Sequence, residues 1–261
     1  MADKTKQRDT SFAGKIVLVT GAAGGIGRAA ALAFGHAGAS VVVADMSVDG
    51  GHATAARIVE AGGKALFVQA NVARAKDVEA LVDKTVATYG RLDCAFNNAG
   101  IEEEYLPLAE ADEALYDRIM GVNVKGTWLC MKYEIRQMLK QEGGGVIVNT
   151  ASVAGLVGAP TQAIYAASKH AVVGMTKTAA VEYGRAGIRI NSVCPGLIDT
   201  PMLARALKRE PGREEKLKDA NPIGRLGQAG DIADAAMWLC SDHAAFITGH
   251  QLAVDGGLSA I

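Results

Sequence analysis

Apolar residues in this chain follow two rhythms. Short, nearly continuous runs rich in Val, Ile and Ala alternate with longer stretches in which Ala, Leu and Val recur every third or fourth position among charged residues. The first pattern predicts buried strands and the second amphipathic helices. Strands are predicted near Ile16 to Thr20, Ser40 to Asp45, Ala65 to Gln69, Asp93 to Asn97, Gly145 to Ala151, Ile188 to Cys194 and Gln251 to Val254, with helices filling most of the gaps. Strand and helix in alternation predict an α/β fold, a parallel sheet with helices on both faces. No repeat, low-complexity segment or linker interrupts the pattern, so 12–261 reads as one domain, a size that a single α/β sheet commonly reaches. Residues 1–11 are polar and charged, and are expected to form a disordered tail without the apolar core of a signal peptide.

Composition narrows the partners. A formal net charge of −1 gives no reason to expect nucleic acid or an anionic membrane surface. No apolar run is long enough to span a bilayer. Cys94, Cys130, Cys194 and Cys240 are scattered among apolar neighbours without metal-ligand spacing. They read as buried free thiols of a cytoplasmic protein, and no metal is expected.

Two motifs bring chemistry into view. Lys15-Ile-Val-Leu-Val-Thr20-Gly21-Ala-Ala-Gly24-Gly25-Ile26-Gly27 reads as strand, tight turn and helix start. Glycines there let the backbone approach a pyrophosphate, whose charge the free N–H groups and positive end of the helix attract. The spacing is T-G-x-x-x-G-x-G. The next predicted strand ends in Asp45, and a carboxylate at that place accepts from both hydroxyls of an adenosine ribose while repelling a 2′-phosphate. NAD is therefore expected rather than NADP, with Arg28 as the one basic side chain near the turn. The second motif is Asn149-Thr-Ala-Ser152 followed by Tyr165-Ala-Ala-Ser-Lys169. Tyr and Lys four residues apart share a helix face, so the ammonium can favour the ionised phenol. A free phenol titrates near pH 10, and lowering that by about three units takes roughly 4 kcal/mol, at about 1.36 kcal/mol per unit, which the ammonium together with a cationic cofactor ring is expected to supply.

Together with Asn97-Asn98-Ala99-Gly100, Asn123 and Pro195-Gly196-x-x-x-Thr200, these residues resemble the short-chain dehydrogenase/reductases, in the right order over nearly the whole chain. The resemblance implies a Rossmann-type doubly wound sheet of seven parallel strands in order 3-2-1-4-5-6-7, with ligands at the strands' carboxyl ends. It implies Asn123, Ser152, Tyr165 and Lys169 as catalytic residues. It implies cofactor contacts from Gly21, Gly25, Ile26, Gly27, Asp45, Asn71, Val72, Asn98, Ala99, Gly100, Tyr165, Lys169, Pro195, Gly196, Ile198 and Thr200. Asn123 lies in a helical stretch, Ala111 to Gln141, which the resemblance expects to open locally there, with a water ordered beneath Lys169. Asn71 reads either as a contact to adenine or as a helix cap; the small residues of Asn97-Asn98-Ala99-Gly100 leave room for the nicotinamide ribose, and Asn97 and Asn98 are expected both to serve that site and to tie central strands.

The expected activity is NAD-dependent interconversion of a secondary alcohol and its ketone, with Tyr165 as acid or base. The runner-up readings are a 3-oxoacyl thioester reductase and an NAD-binding regulatory protein without turnover. Residues 201–227 are expected to form a lid, with Met202, Leu203 and Leu207 toward a mostly apolar pocket lined also by Ala154, Val157, Gln162 and Leu197. Glu102-Glu103-Glu104 reads as a solvated loop at the pocket rim. Segments such as Leu106-Pro-Leu-Ala-Glu and Pro222-Ile-Gly-Arg225 are similar to those of cyclic diol dehydrogenases. Trp238, Phe246, Leu252 and Leu258 near the chain end, with the family precedent, lead to an expected homotetramer.

Overall fold

The computed structural model describes residues 12–207 and 221–260. The expected tail, 1–11, lies outside them. The elements run β1 (Ile16–Thr20), α1 (Gly25–His36), β2 (Ser40–Asp45), α2 (Val48–Glu60), β3 (Lys64–Gln69), α3 (Ala75–Tyr89) and β4 (Cys94–Asn97). Then come α4 (Glu113–Ile119), α5 (Thr127–Met138), β5 (Gly145–Thr150), α6 (Ala163–Tyr183), β6 (Ile188–Pro195), β7 (Ile198–Asp199), α7 (Pro201–Leu207), β8 (Gly227–Gln228), α8 (Ala229–Cys240) and β9 (Gln251–Val254). Seven strands pair in the order β3-β2-β1-β4-β5-β6-β9, and each adjacent pair is parallel. This is the predicted doubly wound order, with strand limits within a residue of those expected. The two-residue strands β7 and β8 form a separate ribbon, too short to leave a period in the sequence.

Successive side chains on a strand point to opposite faces, and the core divides accordingly. Val17 and Val19 of β1 with Val41 and Val43 of β2 pack beneath α1, α2 and α8, where Phe34, Ile58 and Leu239 are fully enclosed. Leu18 and Val42 face the other way, toward Leu81 of α3, Met138 of α5 and Ala180 of α6. A sheet covered on both sides explains why its strands read as continuous apolar runs rather than as alternation. Of the expected lid, α7 covers Pro201–Leu207, while 208–220 lie outside the described residues.

The helical stretch between β4 and β5 is not one regular helix. Between α4 and α5, Met120–Gly126 winds as a π-helix, and Asn123 sits within it. The predicted local opening is therefore present as an extra residue in the turn, a feature that often marks functional sites. The alternative reading of Asn71 as a helix cap does not hold: the N-cap position of α3 is Arg74, which makes no side-chain capping bond. The Asn71 Oδ1 instead accepts from the Ala73 N–H at 3.0 Å, closing a local turn before the helix begins.

Candidate active site

The sheet order reverses between β1 and β4, and the carboxyl ends of these two strands open the crevice. Gly21 follows β1 with φ 67° and Gly25 opens α1 with φ 51°, both in the left-handed region that glycine enters without strain. At Gly27 the limit is space: a Cβ would lie 2.2 Å from the Gly21 carbonyl oxygen. The start of α1 has no side-chain cap and no acidic residue in its first turn. Its leading N–H groups thus face the crevice without a protein carboxylate competing for them, the arrangement an anion needs. Ile26 packs its side chain against the core and contributes backbone to the same turn. These residues fit a pyrophosphate.

Asp45 ends β2 beside this turn. Its Oδ2 accepts from the Ala23 N–H and its Oδ1 from the Ser47 N–H, each at 2.9 Å, so the carboxylate is aimed by the glycine loop itself. An ionised carboxylate has about four acceptor positions, and two are left for ribose hydroxyls. Arg28 turns inward, donating to the Ala23 carbonyl and, from Nε, to Thr54 Oγ1 at 3.0 Å. Beyond Asp45 lies a cavity of about 440 Å³ lined by residues that include Met46, Gln69, Ala70, Asn71 and Arg74. Val72 beside it is buried against Gly126, where a Cβ would come within 2.8 Å of its Cγ2.

The carboxyl end of β4 is knitted to β1. The Thr20 hydroxyl accepts from the backbone N–H groups of Asn98 and Ala99, at 3.0 and 3.1 Å, and the Asn98 amide donates to the Thr20 carbonyl at 3.2 Å. Asn97 points into the core and donates to Asn149 Oδ1 at 3.1 Å and Glu134 Oε2 at 2.8 Å. Both asparagines therefore tie strands, as expected. Gly100 leads directly to the reacting groups: a Cβ there would lie 3.3 Å from Asn123 Oδ1 and 3.5 Å from Lys169 Nζ.

Asn123, Ser152, Tyr165 and Lys169 converge from three segments, the last two residues sharing α6. The Asn123 side chain accepts from the Ile101 N–H and donates to the Ile101 carbonyl, both at 2.9 Å, and donates to Ser168 Oγ at 3.1 Å. Ser168 in turn donates to the Tyr165 carbonyl at 2.6 Å. Lys169 is buried and donates to the Thr150 carbonyl at 2.9 Å, with its Nζ 5.6 Å from the centre of the Tyr165 ring. The Ser152 Oγ accepts from the Ala154 N–H at 3.1 Å and lies within hydrogen-bonding reach of the phenol. On the far side of the crevice Gly196 packs against Asp255, where a Cβ would sit 2.7 Å from Cα. From there Pro195 and Ile198 lead to Thr200, whose Cβ would lie 3.7 Å from a Cβ on Gly25. The Pro-Gly segment thus closes over the glycine turn.

The electrostatics leave the phenol protonated in the absence of the cationic cofactor ring on which, with Lys169, its ionisation is expected to depend. In the protein alone the Tyr165 phenol is pushed up to about 12, by burial first; the Ser152 hydrogen bond opposes this and the Glu102 carboxylate adds to it. Lys169 is pulled down to about 8, again by burial. Desolvation penalises both charged forms, so the ammonium four residues on does not by itself make the phenol a base at neutral pH.

One correction concerns the acidic run. Glu104 is fully buried, not solvated, and its Oε2 accepts from the Tyr165 N–H at 2.9 Å. Glu102 accepts from Gln162 Nε2 at 2.6 Å and from the Tyr105 hydroxyl. Three consecutive glutamates carry no pattern that marks the middle of a loop as inward, so sequence had no signal for this. Ser168, by contrast, stands as a spacer inside the Tyr-Lys motif, and Thr20 opens the glycine motif without an assigned hydrogen-bonding role.

Comparison with known proteins agrees with this geometry. A family model described as enoyl-(acyl carrier protein) reductase matches residues 21–259. A 2,5-dichloro-2,5-cyclohexadiene-1,4-diol dehydrogenase of Sphingobium indicum is 47% identical over 252 residues, covering 97% of this chain and 100% of the relative. A cyclohexanol dehydrogenase of an Acinetobacter species is 42% identical over 255 residues, covering 98% and 99%. The crystal structure of a levodione reductase superposes with a TM-score of 0.92 at 39% identity, over 95% of this chain and 99% of that one. With its sheet order, glycine turn and the Ser152, Tyr165 and Lys169 cluster, the chain belongs to the short-chain dehydrogenase/reductase family.

Proposed function

We propose that this enzyme uses NAD to interconvert a cyclic secondary alcohol and its ketone, with Tyr165 as the acid–base group. The observation that carries the reading is the meeting of Ser152 and Lys169 at one phenol, in a crevice whose other end is shaped for a dinucleotide. A nicotinamide bound there supplies hydride chemistry and, when oxidised, a positive charge near the phenol. The residues do the rest. Ser152 holds the substrate oxygen, Tyr165 takes its proton in oxidation and returns it in reduction, and Lys169 keeps a positive charge beneath the ring. Asn123 fixes the π-turn against Ile101 and Ser168 and so sets the depth of Lys169 and Tyr165. Because burial alone raises the phenol, its ionisation depends on cationic charge arriving with the cofactor.

NAD rather than NADP is supported by the aimed Asp45 carboxylate and by the inward engagement of Arg28. A ring substrate is supported by relatives whose names include cyclohexadienediol, cyclohexanol and cis-4-hydroxycyclohexanecarboxylate dehydrogenases. A homotetramer is supported by apolar residues left exposed on α5, α6 and α8, including Trp128, Val181 and Trp238. The lid is proposed for 201–227, of which α7 and 221–227 are described. The test is turnover, followed by nicotinamide absorbance, with NAD⁺ or NADP⁺ against cyclohexanol, cyclohexanediols and linear secondary alcohols. Oxidation of ring alcohols with NAD⁺ is expected. Activity confined to 3-oxoacyl thioesters with NADPH would replace this reading with the acyl reductase one.

A further inference from the structure

Three ties join the loop after Gly100 to the start of α6, and none was visible in the sequence. Glu102 accepts from Gln162 Nε2 at 2.6 Å, Glu104 accepts from the Tyr165 N–H at 2.9 Å, and the Leu106 N–H donates to the Thr161 carbonyl at 3.1 Å. Thr161 is the one non-glycine residue among those described with a left-handed backbone, φ 64°. Such strain persists only where the surroundings hold it, and here the holding groups belong to this loop.

The middle tie is chemically the least ordinary. α6 has 21 residues, and its N-cap, Gln162, makes no side-chain capping bond. The N–H groups of a first helical turn need partners, and usually a local Ser, Thr, Asp or Asn supplies one. In this helix the partner comes from 61 residues away in sequence. It is a fully buried carboxylate whose other oxygen, Oε1, has no hydrogen-bond partner among the described residues. Burying a carboxylate with half its acceptors unmet is costly, and such a group asks for an explanation beyond ordinary capping. The N–H it holds belongs to Tyr165 itself.

We infer that Glu104 is a positioning residue, fixing the backbone of Tyr165 so that the phenol meets Ser152 and Lys169. This rests on Tyr165 being the acid–base group. Glu104 at the positive end of α6 is also favourably placed with respect to the helix dipole, so it holds the helix end both by the hydrogen bond and by charge. Tyr165 is held from behind by the Ser168 bond to its carbonyl and in front by Glu104. Freeing one side lets the first turn of α6 shift, and a misplacement near 1 Å is enough to cost about a hundredfold in rate.

The test compares Glu104→Ala, Glu104→Gln and Glu104→Asp with the native enzyme on the ring alcohol that turns over best, well below each variant's Tm. Alanine is expected to lower kcat by roughly ten- to a hundredfold while KM for the alcohol and the NAD⁺ dissociation constant stay within about twofold. Glutamine, which keeps an acceptor at the same reach, is expected to recover most of kcat. Aspartate, one methylene shorter, is expected to behave like alanine, and it stands in for alanine if that variant does not fold. A lower Tm with unchanged kcat in the alanine or aspartate variant would overturn the inference and leave a purely structural cap. Equal loss of kcat in the glutamine and alanine variants would also overturn it. Tyr165→Phe run alongside separates the two claims: activity surviving that change refutes the reading of Tyr165, whereas activity lost there but indifferent to Glu104 refutes only the positioning role.

Discussion

The two ends of the crevice are built differently. At the dinucleotide end the chemistry is backbone: a turn of glycines, the bare start of α1 and a carboxylate aimed by N–H groups, all within the first β-α-β unit. At the substrate end it is side chains that carry the chemistry, with Asn123, Ser152 and Tyr165 brought together from separate segments and held by ties to one another and to the backbone of Ile101 and Thr150. Backbone chemistry tolerates almost no added volume but needs few partners. Side-chain chemistry tolerates volume but depends on every tie that sets position.

Substitutions sharpen that contrast. Short of removing the tyrosine, the largest local effect is expected at Gly27→Ala, whose methyl would lie 2.2 Å from a carbonyl oxygen. Overpacking of this kind costs about 1–3 kcal/mol, and here it also distorts the pyrophosphate turn. Titration should show weakened NAD⁺ binding together with a lower Tm; a tight-binding variant would mean the turn is looser than drawn. Asp45→Asn comes next. Removing the charge leaves the acceptor at the Ala23 N–H but relaxes rejection of a 2′-phosphate. NADP⁺ should gain on NAD⁺ by on the order of tenfold in kcat/KM, about 1.4 kcal/mol, and an unchanged ratio would place discrimination elsewhere.

A third effect falls on stability rather than on binding or turnover, and lies behind the sheet. Glu134 of α5 is fully buried, and its Oε1 has no hydrogen-bond partner among the described residues. Burial raises its carboxyl from 4.5 to about 8, with the Asn97 hydrogen bond opposing. The neighbouring Cys130 thiol is likewise pushed up by burial and by Glu134. A raised folded-state value means that the folded protein binds the proton more tightly than the unfolded chain. Stability from this group is thus complete below its ordinary value and declines as pH climbs toward about 8, by at most about 1.4 kcal/mol per unit. Glu134→Gln should gain Tm over the native protein at pH 8 and little at pH 5; equal shifts at both would assign the effect to packing.

Much of the dinucleotide end was legible because its signals are short-range. The glycines, the strand endings and Asp45 stand where a local rule puts them, and the sheet order followed from the family likeness. Tyr165 and Lys169 were legible for the same reason, being one helical turn apart. What sequence could not show is how distant segments close on them. It could not show that Glu104 turns inward while Glu103 stays exposed, since a run of identical residues has no period. Nor could it show that burial outweighs Lys169 at the phenol, because desolvation is a property of the assembled site.

The most direct test of the central claim is Tyr165→Phe, assayed for turnover and, separately, for NAD⁺ affinity. The account predicts kcat lower by about 10²–10⁴-fold, the scale of a lost acid–base group, with NAD⁺ binding and Tm close to native. Turnover within a few fold of native would contradict it, and the proton would then have to be carried by another group in the crevice.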